Sequence, residues 1–176
     1  MLVASGKDRP GIVSAVTQIL FEDGCNIEEA KATVLGSEFA LLALVAAPSA
    51  LSMKALDASL GRLRRKLAID AKVRPVAPAE AAAARPGAAG RWHVMVRGKD
   101  RPGIVYQLST LLSSLGVNIL DAATKLDLHP GSPPIVNLFL DVSLPPKLGA
   151  PELKAKLKQY GETLGLSFQL EKAAHA

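Results

Sequence analysis

The sequence predicts an α+β protein built from two tandem units, each with the element order βαββαβ. Three observations support this prediction. The eight-residue string Gly-Lys-Asp-Arg-Pro-Gly-Ile-Val occurs twice, at residues 6–13 and at residues 98–105. Each copy follows a short apolar run and precedes a segment with the 3.6-residue apolar spacing of a helix. Because eight identical residues recur at one fixed offset, the chain is an internal duplication.

The first helix of each repeat follows the repeated string directly. Its apolar face comprises Ile12, Val13, Val16, Ile19 and Leu20 in the first repeat, and Ile104, Val105, Leu108, Leu111, Leu112 and Leu115 in the second. Proline is favoured at the first position of a helix, so both helices are expected to begin at Pro10 and Pro102. Asp8 and Asp100 lie just before these starts, close enough to cap them.

The remaining elements of the first repeat are two strands, a helix and a final strand. Two strands are predicted at residues 26–34 and 39–47, and the residues around Gly36 predict a tight turn between them. The second of these strands carries no charge, so we expect it to be buried on both faces by the other repeat or by a second chain. Residues 69–76 predict the final strand. A stripe of leucines marks the second helix: Leu56, Leu60, Leu63 and Leu67.

The second repeat predicts the same order of elements. Its strands are expected at 92–97, 118–128, 135–144 and 166–171, and its helices at 102–115 and 151–164. Leu153 and Leu157 correspond to Leu56 and Leu60, which places the extra residues of this repeat in the Pro-rich loop 129–134. Apolar residues alternate with polar ones in the third strand, which indicates one buried face: Val136, Leu138, Leu140 and Val142.

This order of elements is the ferredoxin-like arrangement, in which an antiparallel four-stranded sheet carries two helices on one face. We predict a first domain at residues 1–76, an Ala-, Pro- and Gly-rich linker at 77–90, a second domain at 91–172 and a C-terminal tail at 173–176. Domains of this size are marginally stable alone. The bare face of each sheet is therefore expected to be covered by a neighbour or by the twin domain.

Composition narrows the class of protein. The chain has 176 residues, of which 49% are hydrophobic, and a net charge of +5. Neither a membrane span of ~20 apolar residues nor a secretory signal is expected from the sequence. The single cysteine, Cys25, allows no internal disulfide and fits a cytoplasmic location. The basic run at residues 62–66 is interpreted as a solvated helix face, with nucleic acid or an acidic protein partner as the alternative.

An enzymatic function finds little support in the sequence. None of the three histidines, His93, His129 and His175, lies near a serine or cysteine that both repeats share. Cys25 corresponds to Val117 in the second repeat, so the thiol is not repeated either. The sequence shows no metal-ligand spacing, and no cofactor is expected. Aromatic residues make up only 4% of the chain, so the base-stacking strands of an RNA-binding module are not predicted either.

The repeated strand-to-helix junction has two interpretations. It can be a well-formed helix start, with aspartate for the cap and proline to open the helix. It can also be a small-molecule site, because N–H groups at a helix start attract an anion, and Gly11 and Gly103 leave room for a ligand. The retention of Lys-Asp-Arg in both copies favours the second interpretation, since a helix start does not require three charged residues in that order.

The Asp-Arg-Pro-Gly-Ile-Val turn, followed by Gly-x-Asn-Ile at the second strand, resembles the ACT domain, a regulatory module that binds amino acids. Two such units alone, with the residues at 24–28 and 35–39, resemble the glycine cleavage system transcriptional repressor family. In ACT domains the ligand lies between the first strand–helix loop of one unit and the second strand of its neighbour. The resemblance therefore implies these ligand-binding residues: Asp8, Arg9, Pro10, Gly11, Ile12, Asn26, Ile27, Asp100, Arg101, Pro102, Gly103, Ile104, Asn118 and Ile119.

The resemblance also implies a function. It implies a non-enzymatic regulator of transcription that responds to an amino acid, with glycine as the signal, and that acts through a protein partner such as a transcription activator. Its sites can form within one chain or across a homodimer. Two alternatives stay open: a stand-alone allosteric subunit of an amino-acid metabolic enzyme, and a ferredoxin-like protein that binds nucleic acid.

Overall fold

A computed structural model describes residues 1–83 and 90–173, which form two compact units on either side of residues 84–89. The first unit contains β1 (Leu2–Lys7), α1 (Ile12–Glu22), β2 (Asn26–Leu35), β3 (Glu38–Ala46), α2 (Met53–Leu67), β4 (Asp70–Val73) and α3 (Pro78–Ala83). The second contains β5 (Arg91–Lys99), α4 (Ile104–Ser114), β6 (Asn118–Asp127), β7 (Ile135–Ser143), α5 (Ala150–Leu164) and β8 (Leu166–Lys172). The predicted order βαββαβ is confirmed in both units.

Each unit has one antiparallel sheet of four strands. The strand orders are β2-β3-β1-β4 and β6-β7-β5-β8, so the first and third strands of a unit are central and the second and fourth are edges. β1 pairs with β3 from Leu2 opposite Ala43 to Lys7 opposite Glu38. The end of β1 therefore lies beside the turn between β2 and β3, and this pairing sets the position of the loop that follows β1.

The core of each unit lies between one face of its sheet and the two long helices. In the first unit Leu2 of β1, Val16 of α1 and Leu60 of α2 are buried in one cluster. The corresponding cluster of the second unit includes Val94, Leu108 and Leu157. Both helices thus lie on one face of the sheet, as predicted. The predicted inward face of β7 is confirmed, because these residues are buried: Val136, Leu138, Leu140 and Val142.

Strand β3 buries one face and exposes the other within the described part of the chain. Phe39, Leu41 and Ala43 belong to the core, whereas Leu42 is 52% exposed on the open side of the sheet. Val3 lies opposite Leu42 and is also exposed, so this side has an apolar centre. The predicted burial on both faces is therefore not met inside the unit, and its covering by a neighbour remains a prediction.

Helix α3 occupies part of the segment predicted to be a linker. An ion pair between Arg74 Nη1 and Glu80 Oε1, at 3.4 Å, joins it to the residues that follow β4. The linker residues 84–89 and the tail residues 174–176, which include His175, lie outside the described residues. Ala173 donates its N–H to the Arg91 carbonyl oxygen at 3.0 Å, so the first residue of the predicted tail continues the pairing of β8 with β5.

The first glycine of each repeated string is required by packing. A Cβ atom on Gly6 would lie 2.8 Å from the Ala68 carbonyl oxygen and 2.9 Å from Ile69 Cδ1, where the chain leaves α2 for β4. Gly98 has the same relation to the chain between α5 and β8. Part of the repeated sequence thus serves the fold, because only glycine allows the backbone to approach so closely.

We predict that Gly6→Ala destabilises the first unit by about 1–3 kcal/mol, because the added methyl group forces the backbone near Ala68 to move. Gly61→Ala is the matched control, since its Cβ would meet nothing closer than Arg65 Nη1 at 3.8 Å. Alanine is favoured over glycine inside a helix, so this control should stabilise by about 0.5–1 kcal/mol. Urea unfolding measures both changes. A Gly6→Ala protein as stable as wild type would contradict the packing requirement.

Candidate functional site

The loop after β1 is held against the turn between β2 and β3. Asp8 donates its N–H to the Ser37 carbonyl oxygen at 2.8 Å, just beyond the last pair of β1 with β3. In the second unit Asp100 donates its N–H to the Pro134 carbonyl oxygen, also at 2.8 Å. The Pro-rich loop before β7 is longer than the turn at Gly36 but presents the same kind of acceptor. Both repeats therefore hold this loop in the same way.

The helices after these loops begin later than predicted. α1 begins at Ile12 and α4 at Ile104, not at the prolines Pro10 and Pro102. The reason is the backbone of the glycine between them, which has φ 95° and ψ −5° in the first unit and φ 93° and ψ −4° in the second. A residue in the left-handed region cannot belong to a right-handed helix, so it takes the cap position and the proline belongs to the preceding turn.

The predicted capping by aspartate is also wrong. No side chain accepts an N–H group at the start of either helix, and the side chains of Asp8 and Asp100 are exposed. The first backbone hydrogen bond of α1 runs from the Ala15 N–H to the Gly11 carbonyl oxygen at 3.0 Å. The N–H groups of residues 12–14 come before that bond, and a helix start leaves such groups for other acceptors. The loop carboxylates therefore take no part in forming the helix.

The predicted site residues of the loops differ in exposure. The aspartate, arginine, proline and glycine of each loop are exposed, whereas Ile12 and Ile104 are 2% and 3% exposed and belong to the two cores. A ligand at the loop would meet the backbone N–H groups of these isoleucines, not their side chains. Arg101 Nη2 lies 3.5 Å from the Leu164 carbonyl oxygen at the end of α5, which is a long hydrogen bond.

Within one unit the structure does not bring the loop and the asparagine of the second strand together. Asn26 begins β2, whereas Leu35, at the other end of that strand, pairs with Glu38 beside the loop. At the rise of a β-strand this separation is about 30 Å. Asn118 begins β6 in the same way. A site that contains both the loop and the asparagine therefore requires a second unit.

A β-bulge follows each asparagine, and the sequence pattern does not predict it. The register of β2 against β3 shifts between Ile27 and Glu29, and that of β6 against β7 shifts between Ile119 and Asp121. A bulge bends its strand and redirects the neighbouring side chains. All ten side chains of β2 are exposed, so no alternation of buried and exposed positions was available to reveal the shift.

Groups that often carry enzymatic chemistry are not combined in a catalytic arrangement among the described residues. Burial raises the pKa of the half-buried Cys25 thiol, and the Asp23 carboxylate raises it further, which disfavours the reactive thiolate. His93 Nδ1 lies 2.6 Å from Asp141 Oδ1 on the open side of the second sheet. In the ranges that the structure describes, no three His, Cys, Asp or Glu side chains are placed to hold a metal ion.

The described helices include none that is long and apolar enough to cross a membrane.

The first repeat matches a known sequence family. Residues 1–74 match the model of the ACT domain family. The glycine cleavage system transcriptional repressor of Escherichia coli is 27% identical over 133 residues, which cover 71% of this chain and 63% of that protein. The chain thus spans less than two thirds of the length of this curated relative.

Two solved structures share the fold over nearly the whole chain. The crystal structure of an unknown protein from Galdieria sulphuraria has a TM-score of 0.76 and 24% sequence identity, and the match covers 98% of this chain and 96% of that one. The crystal structure of a candidate glycine cleavage system transcriptional repressor also has a TM-score of 0.76, with 18% identity and coverage of 99% and 96%. This likeness establishes the fold as two tandem ferredoxin-like units.

Because Asp8 does not cap α1, we predict that Asp8→Ala changes the free energy of unfolding by less than about 0.5 kcal/mol. Ser52→Ala is the contrasting variant. Ser52 Oγ accepts the Ala55 N–H at 3.2 Å at the start of α2, and loss of such a cap costs about 1 kcal/mol. Thermal and urea unfolding distinguish the two variants. A loss of about 1 kcal/mol in Asp8→Ala would show that this aspartate caps the helix in solution after all.

Proposed function

Because residues 1–74 match the model of the ACT domain family and residues 90–173 repeat the same fold, we propose that this chain is a regulatory protein that responds to a free amino acid. The amino acid binds at the Gly6–Gly11 loop and at the Gly98–Gly103 loop. One observation supports this above the others: both loops keep the sequence Lys-Asp-Arg-Pro-Gly and the same glycine backbone. Exposed charged residues that the helix start does not use are retained in both copies, as a shared ligand would require.

The two ends of an amino acid match the groups of the loop. Its carboxylate suits the N–H groups of residues 12–14, where the helix dipole contributes about 0.3–1 kcal/mol for an exposed anion. The exposed Arg9 guanidinium can bind the same carboxylate with two parallel hydrogen bonds. The ammonium group suits the carboxylate of Asp8. Asp100 and Arg101 provide the same groups at the second loop.

A strand from a neighbouring unit completes the site in this proposal. β2 is a sheet edge, and an edge strand has outer backbone groups that can pair with another strand. When two edge strands pair antiparallel, the start of one lies beside the end of the other. Asn26 and Ile27 of one unit then approach the loop of the next unit. Asn118 and Ile119 of β6 have the same geometry, and we propose a homodimer as the assembly that supplies the neighbour.

The names of the relatives support a role in transcription. We propose that the chain regulates the glycine cleavage system by binding a protein partner, a transcription activator, with glycine as the signal. It acts in the cytoplasm, contacts the partner instead of DNA, and catalyses no reaction. An allosteric coupling of about 1–3 kcal/mol between the two ligands is sufficient, because it changes partner affinity roughly 5- to 150-fold.

Isothermal titration calorimetry with the twenty amino acids tests this function. We expect glycine or another small amino acid to bind, and the double variant Asp8→Ala with Asp100→Ala to weaken binding at least about tenfold, because a hydrogen bond to a charged group contributes about 1.5–3 kcal/mol. Asp57→Ala, which removes an exposed aspartate of α2, is the control and should bind like wild type. If no amino acid binds to the wild-type chain at millimolar concentration, the loops are helix starts and the proposed function is wrong.

A further inference from the structure

The two loops share a sequence, but the space beside them differs. In the first unit a cavity of about 220 Å³ opens between α1 and α2 and reaches the loop at Gly11. Gly11 of the loop lines it, and so do Ala15, Gln18 and Glu22, which lie on one face of α1. Its α2 side is lined by these residues: Arg62, Leu63, Lys66 and Leu67. The small side chain of Ala15 leaves this space open next to the loop glycine.

In the second unit a glutamine stands where the first unit has this alanine. Gln107 corresponds to Ala15, and its Nε2 lies 3.9 Å from the place that a Cβ atom of Gly103 would take. The Gln107 Oε1 is buried and has no hydrogen-bond partner among the described residues. In the first unit the nearest atom to the equivalent place on Gly11 is the Ser14 hydroxyl oxygen, at 4.0 Å. The glutamine side chain therefore lies beside the loop glycine, and the cavity of about 330 Å³ between α4 and α5 reaches neither Gly103 nor Gln107.

A second contact narrows the same region of the second unit. The Arg101 guanidinium reaches from the loop to the Leu164 carbonyl oxygen at the end of α5, at 3.5 Å. Leu164 corresponds to Leu67, which lines the cavity of the first unit. Two side chains of the second unit thus lie beside its loop, where the cavity of the first unit reaches Gly11.

We infer that Ala15 and Gln107 determine which amino acid each loop accepts. The first site takes an amino acid with an aliphatic side chain, which enters the cavity beside Gly11. The second site takes glycine, because the Gln107 side chain lies beside the loop glycine and the cavity of that unit does not reach the loop. This inference rests on the proposed amino-acid function of the loops and adds the class of ligand to it.

Size and polarity support the assignment. A water molecule accounts for about 30 Å³ of liquid, so the cavity has the volume of roughly seven waters, which suits a side chain such as that of leucine. Its floor is apolar, because Ile19, Leu63 and Leu67 line it. Its far end from the loop is charged, because Arg62 Nη1 and Glu22 Oε2 form an ion pair there at 3.1 Å. In the second unit the Gln107 side chain stands beside the loop glycine in place of the small Ala15, so a ligand side chain has less room there.

Calorimetry of the full chain with leucine and with glycine tests the inference, using two reciprocal variants. Ala15→Gln places in the first unit the residue that the second unit already carries, and Gln107→Ala does the reverse. We expect wild type to bind one leucine per chain. Ala15→Gln should weaken leucine binding at least tenfold and change glycine binding less than twofold, whereas Gln107→Ala should bind a second leucine. Phe21→Gln, at an exposed position of the same helix, is the control and should bind like wild type.

Three results overturn the inference. They are an unchanged leucine affinity in Ala15→Gln, a failure of leucine to bind while another amino acid binds, and the absence of a second bound leucine in Gln107→Ala. Each of them leaves the proposed sensor function intact. If none of the twenty amino acids binds to wild type, the proposed function fails and the inference fails with it. Circular dichroism checks that each variant is folded. Gln107→Ala only removes side-chain atoms, so its result does not depend on whether a larger residue can be packed.

Discussion

The left-handed backbone at Gly11 and Gly103 is the constraint on which the loop, the helix start and the proposed site all depend. It separates the turn at Asp8 or Asp100 from the helix, which begins only at the next residue. The isoleucine at that position is buried in the core, so the first turn of the helix and its N–H groups are held in place. Because glycine occupies the cap, the aspartate and the arginine are not needed there and remain exposed.

The elements of the fold were predictable, and their ends were less so, for physical reasons. The alternation from Val136 to Val142 identifies a strand because these side chains must all reach one core. The start of α1 was mispredicted because two local preferences compete at Pro10 and Gly11. Proline is favoured at the first helical position, but a Pro-Gly pair is also a turn signal, and the turn prevails here.

The residues of the candidate site were visible in the sequence, but their geometry was not. Asn26 lies a full strand length from the loop because of the register in which β2 pairs with β3. The pattern of residues along one strand does not specify that register. The bulges at Glu28 and Leu120 depend on the same register and leave no apolar pattern. The difference between Ala15 and Gln107 can be read from the sequence, yet it acquires a meaning only beside the cavity between α1 and α2.

Backbone NMR of the full chain during a glycine titration tests most directly the central claim, that the loops bind an amino acid together with the second strand of a neighbour. The account predicts that glycine shifts the N–H resonances of residues 104–106 and that added leucine shifts those of residues 12–14, each together with an asparagine, Asn26 or Asn118, at the opposite end of a sheet. Shifts confined to residues outside the loops and second strands, or a spectrum that glycine leaves unchanged, would contradict it.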